Sequence, residues 1–307
     1  MHTGYFFYWR PMTQSSGIDP LPAEAPLAVA PRKKTLQERI DEFPWWVGGI
    51  FVIALGSIYL VTTQTSFGEA MAFIRIGIGV TITTTLYAYS IALVLGLIAG
   101  LGRISRNVVV RNLATLYVEL VRGIPILVLI FYIALVAVPD SLGLFKTFGD
   151  WLSSIGLGFI GGPLASTNND SISLNVRAII ALSVTYGAFL AEIFRAGIQS
   201  IGKGQMEAAR SLGMSYAQAM RHIILPQAIR NVLPALGNDF VAMVKDSSLV
   251  SVLAVRDITQ VARLYAGRTF RFREAYTILA ILYLGMTLIL SFLVRILERR
   301  LHDGSRK

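Results

Sequence analysis

Six stretches of mostly apolar residues punctuate this chain, and no other feature limits its fold so severely. A hydrocarbon core of about 30 Å takes roughly 20 helical residues at about 1.5 Å each, with every backbone N–H and C=O paired inside the segment. The stretches run over residues 45–63, 75–103, 115–138, 177–195, 231–255 and 275–294. The first opens on Trp45 and Trp46, which suit a membrane interface, and the fifth is the weakest because Asp239, Lys245 and Asp246 interrupt it. This spacing predicts an all-α, polytopic membrane protein. Composition agrees: 54% of the 307 residues are hydrophobic and 15% charged, against roughly 25% charged in a soluble domain.

Charge is spread unevenly over this pattern. With the N-terminal tail in the cytoplasm, 18 of the 28 Lys and Arg fall on inner loops and tails and 8 on outer ones, so both termini are expected inside. The same asymmetry accounts for the net charge of +10 without a nucleic-acid partner. One loop runs against it, with Arg256, Arg263, Arg268, Arg271 and Arg273 outside, and is expected to fold against protein. Residues 12–44, rich in Pro and Ala with a basic cluster at Arg32, Lys33 and Lys34, read as a flexible cytoplasmic tail. Met1 to Pro11 lack the pattern of a removable signal peptide. In the outer segment 140–174, Phe145, Phe148, Leu152 and Ile155 recur at helical spacing, which fits either a helix on the outer leaflet or a packed connector. The sequence has no cysteine, and His2, His222 and His302 are scattered. No metal site is expected, and no nucleophile constellation supports an enzyme.

Residues 203–226, between the fourth and fifth stretches, hold the densest local signals. Glu207, Ala208 and Ala209 favour a helix with its acid near the positive N-terminal end. Gly213 is able to take the left-handed conformation that ends a helix. Ser215 with Gln218 forms a capping box that starts another, and Pro226 limits its continuation. The prediction is a compact two-helix knob in the cytoplasm, a shape suited to a cleft on a soluble partner. Shape alone leaves the partner open, since any inner loop is free to be helical.

Glu207, Ala208, Ala209, Gly213, Ile223, Leu225 and Pro226 match, position by position, the coupling-loop pattern of permease subunits of ATP-binding-cassette (ABC) importers. The segments Tyr117 to Pro125, Ala191 to Ile198 and Lys245 to Leu249 resemble the polar amino acid branch of that family. The resemblance covers residues 75–300 and implies the type I importer transmembrane fold with a five-helix core. The helix and loop at 45–74 then stand as an N-terminal addition, and 301–307 as a cytoplasmic tail. It further implies a bacterial cell membrane, two ATPase subunits seated on coupling loops, and a second permease subunit, identical or homologous. An extracytoplasmic binding protein would deliver the amino acid. No cofactor is expected in this chain, because ATP would be bound by the ATPase; the sequence has no G-x-x-x-x-G-K-[ST] loop.

A charge at the bilayer centre costs about 2.5–3.5 kcal/mol on insertion scales, so each requires a reason. Lys245 lies deep in the fifth stretch, and Asp246, Ser247 and Ser248 after it are good N-caps, so the helix is expected to break and restart there. A restarted helix presents a positive N-terminus to an anionic group, which makes Lys245 and the following backbone candidates for a substrate carboxylate or its gate. The alternative is that Lys245 pairs with Asp239 or another span. Thr185, Tyr186 and Phe189 are candidates to line the path, with packing as the alternative. Arg122 is expected to snorkel to the inner interface, Glu192 and Arg195 to form an i,i+3 pair, and Gly96 and Gly100 to let helices approach closely. The rival reading is a secondary transporter or channel independent of an ATPase, which needs a gate or ion site of its own but no docking knob.

Overall fold

A computed structural model describes residues 45–303, so the readings of the tail 1–44 and of residues 304–307 lie outside the described residues. The chain divides into two units, the shorter of which is described over residues 45–53. Those residues form the first half of helix α1, Trp45–Thr63, which carries no charge on any face, the composition of a lipid-immersed helix.

The main unit is helical throughout, with no strand among the described residues. In order it contains α2 (Thr65–Ile74), α3 (Gly77–Arg103), α4 (Val108–Gly123) and α5 (Ile126–Tyr132). A π-helical turn, Ile133–Ala137, leads into α6 (Val138–Ser154), followed by α7 (Gly158–Ala165) and α8 (Leu174–Gln199). Then come α9 (Lys203–Ser211), α10 (Tyr216–Ala219), a second π turn (Met220–Ile224) and α11 (Leu225–Asp246). A 3₁₀ segment (Ser247–Leu253), α12 (Ile258–Thr269) and α13 (Phe272–Asp303) complete it.

Among the described residues, four segments are long and apolar enough to cross a membrane: Thr65–Arg103, Ile126–Ser154, Leu174–Gln199 and Phe272–Arg299. The third expected span does not begin at Thr115. Pro125 forces Ile124 into extended backbone (φ −110°, ψ 137°), which ends α4 and starts a new helix beyond the proline. The fifth expected span, α11, is a 22-residue helix that holds Arg230, Asp239, Lys245 and Asp246, too many charges for it to stand alone in lipid.

Helix α8 is the axis of the bundle: 61% of its apolar window is buried, against 11% for α13. Its nearest neighbour is α3, and small residues make the approach possible. A Cβ on Gly96 would lie 2.6 Å from Leu190 Cβ, and one on Gly100 would lie 2.9 Å from the Ala191 carbonyl oxygen. Ala88, Ala92, Ala181 and Ala188 are fully buried in the same core.

A second core joins α2, α12 and α13 around Phe67, Ile74, Ile258 and Ile278. The basic segment 256–273 is thereby folded against protein: Asp257 caps α12 by accepting the Gln260 N–H (2.8 Å), Arg271 pairs with Glu69 (2.6 Å), and the Arg273 guanidinium sits 5.8 Å from the Phe67 ring centre. In the segment 140–174, α6 and α7 form a hairpin pinned by Gly149 and Gly161, with Leu152 packed inward and Phe145, Phe148 and Ile155 exposed. The buried Arg177 donates to the carbonyls of Ile172 (3.1 Å), Ala134 (3.3 Å) and Asn169. Within the π turn the Val138 N–H reaches back to the Ile133 carbonyl. The next acceptor, Ala134, therefore faces Pro139, which has no N–H, and Arg177 supplies the missing donor.

Candidate functional site

The knob grows from the ends of α8 and α11. Ile198, Ile224 and Ala228 are buried at its base. Helix α9 ends in a Schellman closure: Gly213 has φ +84°, Met214 N–H donates to the Ala209 carbonyl (3.2 Å) and Gly213 N–H to that of Arg210 (3.0 Å). Directly after it, the Ser215 hydroxyl accepts from the Gln218 N–H (3.2 Å) while the Gln218 amide oxygen accepts from the Ser215 N–H (2.8 Å), a complete capping box. The bend is therefore held by hydrogen bonds on both sides.

Ala209 points inward at 4% exposure, Ile223 and Leu225 are half-buried, and Glu207, Ala208, Gly213 and Pro226 lie on the surface. Pro226 does not limit the second helix. The turn before it widens to π geometry, with the Leu225 N–H bonded to the Met220 carbonyl, and the helix runs on into α11; the wide turn accommodates the missing donor. Leu212, which the sequence reading passed over, is 82% exposed at the bend. An apolar residue immediately before a helix-ending glycine was the available signal.

Around the end of α11, the α-helix continues through Lys245 to Asp246 and then tightens into the 3₁₀ segment. The expected N-cap bonds are not made. The Asp246 carboxylate accepts from the Tyr186 hydroxyl of α8 (2.7 Å), and the Ser247 hydroxyl donates back to the Val244 carbonyl (2.7 Å). Ser247 is buried and Ser248 half-buried. A full helix restarts only at α12, past Ala254 in left-handed conformation (φ 58°). Lys245 is exposed, and among the described residues no carboxylate, Asp239 included, lies within ion-pair distance of it.

Phe189 is half-buried, 6.0 Å from the Tyr186 ring and 5.8 Å from the Arg122 guanidinium. Thr185 is fully buried with its hydroxyl donated to the Ala181 carbonyl (2.8 Å), on the packing side of α8. Tyr89, absent from the sequence reading, donates to the Leu236 carbonyl (2.5 Å) and meets Phe240 edge-on at 5.0 Å; a tyrosine deep in an apolar span was the signal, since its hydroxyl requires a partner. Tyr186 thus touches both Phe189 and Asp246, Ser247 is turned back onto its own helix, Lys245 lies on the exposed flank of the same turn, and Thr185 stands apart. Arg122 does not simply snorkel: it pairs with Glu192 (3.1 Å), which also receives Arg195 (2.7 Å) and Arg103 (2.5 Å).

The model of the family described as binding-protein-dependent transport system inner membrane component matches residues 92–303. The probable glutamine ABC transporter permease protein GlnM of Bacillus subtilis is 38% identical over 211 residues, 69% of this chain and 85% of the relative. The glutamine transport system permease protein GlnP of Escherichia coli is 33% identical over 209 residues, 68% of this chain and 84% of that one. Among solved structures, an amino acid ABC transporter determined with histidines has a TM-score of 0.62 at 36% identity, covering 76% of this chain and 97% of that one. The inward-facing MetNI methionine ABC transporter, at 18% identity and a TM-score of 0.57 over 75% of this chain and 97% of that one, shares the fold. With the family model spanning the central core, the knob and α13, this multi-pass chain belongs to the inner membrane components of binding-protein-dependent transport systems, the permease subunits of ABC importers.

Proposed function

We propose that the chain forms the translocation path for a polar amino acid and couples its passage to a separate ATPase through residues 203–226. What supports this most directly is the knob: a bend braced by the Gly213 closure and the Ser215–Gln218 box, with Leu212 unpacked at its tip. Bracing on both sides of the turn suits an element that must transmit displacement rather than absorb it. On this reading Glu207, Ala208, Ala209, Gly213, Ile223, Leu225 and Pro226 shape the ATPase contact. The permease domain covers 75–300, with 45–74 as an added helix and both termini in the cytoplasm. Two permease subunits pair over two ATPases, and an extracytoplasmic protein presents the amino acid. ATP hydrolysis belongs to the ATPase alone.

For the path, Lys245 offers a cation with no ion-pair partner among the described residues, and Asp246 offers a carboxylate oriented by Tyr186. Placed on one turn, the two charges complement a zwitterion, with the ammonium of Lys245 facing the substrate carboxylate; Ser247, Ser248 and Phe189 flank them. The names of the relatives favour an amino acid such as glutamine. The test is co-purification: the wild-type permease retains its ATPase through detergent extraction, and Glu207→Lys, on the exposed face of α9, releases it. An ATPase retained in full by Glu207→Lys, or transport by the permease alone in liposomes, defeats the proposal.

A further inference from the structure

Glu192 gathers arginines from three helices onto one carboxylate. Arg103 closes α3, Arg122 lies in the last turn of α4, and Arg195 is one turn further along α8. The Glu192 side chain is 19% exposed and that of Arg103 13%, so solvent screens this pair less than a surface bridge. A local i,i+3 pair with Arg195 would serve helix α8 alone. Arg103 and Arg122 make Glu192 a junction where three helices meet above the knob.

Contacts continue from this junction in both directions. Toward the cytoplasm, Arg103 leads in three residues to Arg106, whose guanidinium lies 5.2 Å from the ring centre of Tyr216, the first residue of α10 in the knob. Toward the membrane interior, Arg122 also lies 5.8 Å from the Phe189 ring; Phe189 is 6.0 Å from Tyr186, and Tyr186 donates to Asp246 at 2.7 Å. A displacement of the knob thus has a route to the carboxylate beside Lys245 outside the covalent route through α8 and α11, made of side-chain contacts joined by the short backbone link from Arg106 to Arg103.

We infer that Glu192 is the positioning residue of a relay running from Tyr216 through Arg106, Arg103, Glu192 and Arg122 to Phe189, Tyr186 and Asp246, which carries the ATPase-driven movement of the knob to the solute path. The inference rests on the reading of the knob as the ATPase contact. Contact alone is not coupling, and what distinguishes a relay is that its links act in series. Cutting one link removes the coupling, and cutting a second removes nothing more.

The test uses the complete complex of permease, ATPase and binding protein in nanodiscs and liposomes. The probe is whichever proteinogenic L-amino acid stimulates the wild type most. Glu192→Gln keeps shape and one acceptor but removes the charge, and Arg106→Ala changes an exposed loop residue. Each is expected to cut the amino acid transported per ATP about tenfold, within the usual range of site-to-site coupling. The KM for ATP and the retention of ATPase by the purified permease are expected to stay unchanged, and a general loss of permease structure would not allow the second. The double variant is expected to be no worse than the weaker single one. Full coupling in either single variant overturns the relay, as does a double variant whose loss equals the product of the two single losses. Should Glu192→Gln fail to assemble, Arg122→Gln with Arg106→Ala makes the same comparison along the same branch. A wild-type complex whose ATP hydrolysis ignores every amino acid defeats the underlying reading of the knob and the relay with it. Stimulated hydrolysis in the wild type with coupled variants defeats the relay alone.

Discussion

Replacing Gly213 by alanine isolates one quantity, the cost of holding a Cβ-bearing residue in left-handed backbone. A Cβ built on Gly213 meets nothing within 4 Å, so neither packing nor collision enters. The φ of +84° remains, and for alanine that conformation costs about 1–2 kcal/mol relative to its ordinary basins. The Schellman bonds from Gly213 and Met214 to Arg210 and Ala209 exist only while that conformation is held. The penalty therefore falls on the bent form of the knob. If only the bent form docks, the half-saturating concentration of ATPase rises about 5- to 30-fold, the free-energy cost converted at tenfold per about 1.4 kcal/mol. Asparagine tolerates this conformation far better, so Gly213→Asn is expected near the wild type. The assay titrates purified ATPase against permease in nanodiscs and follows ATP hydrolysis. An unchanged half-saturation for Gly213→Ala, or an equal loss in Gly213→Asn, refutes the argument that the bend is the docking form.

Lys245→Met is expected to raise the half-saturating amino acid concentration at least about tenfold in transport assays, the loss of a charge-assisted hydrogen bond, with the complex still assembled; an unchanged value removes Lys245 from the path. Arg177→Ala strands the buried carbonyl of Ala134 and leaves those of Ile172 and Asn169 to solvent; at about 1–3 kcal/mol for the buried group the thermal midpoint is expected to fall by about 2 °C or more, with Arg177→Lys falling less. Because the chain has no cysteine, Gly197→Cys with Val232→Cys gives one defined cross-link across the knob's base, where a Cβ on Gly197 lies 3.5 Å from Val232 Cβ, within disulfide range. Oxidation is expected to leave transport running, since a rigid knob keeps its base closed, and arrest reversed by reductant shows that the base opens.

What was legible in the sequence is what near neighbours decide. The Gly213 closure, the Ser215–Gln218 box and the close approach at Gly96 and Gly100 all follow from residue types within a turn or two. Local reasoning fails where a distant residue offers a better partner. Asp246 is a good cap by type, yet its carboxylate is taken by Tyr186, 60 residues away. Arg122 has the stem to snorkel, yet Glu192, 70 residues away, takes its charge. Proline shows the same limit: Pro139 and Pro226 each follow a π turn inside a continuous helix, a turn that avoids stopping the chain. At Pro139 the acceptor left over is served by Arg177, 43 positions from Ala134. No local pattern contains that donor.

The charges that α11 carries limit what surrounds it. Asp239, Lys245 and Asp246 in α11 would each cost about 2.5–3.5 kcal/mol if lipid reached them near the bilayer centre. The chain offsets part of that by packing: Val232, Leu236, Met243 and Val244 are buried, and Asp246 is bonded to Tyr186. Lys245 receives no such cover from the described residues. Acyl chains cannot be its neighbours at that cost when a water-filled path or a second permease subunit is available. Under the proposed function, the flank of α11 bearing Lys245 is therefore expected to face one or both.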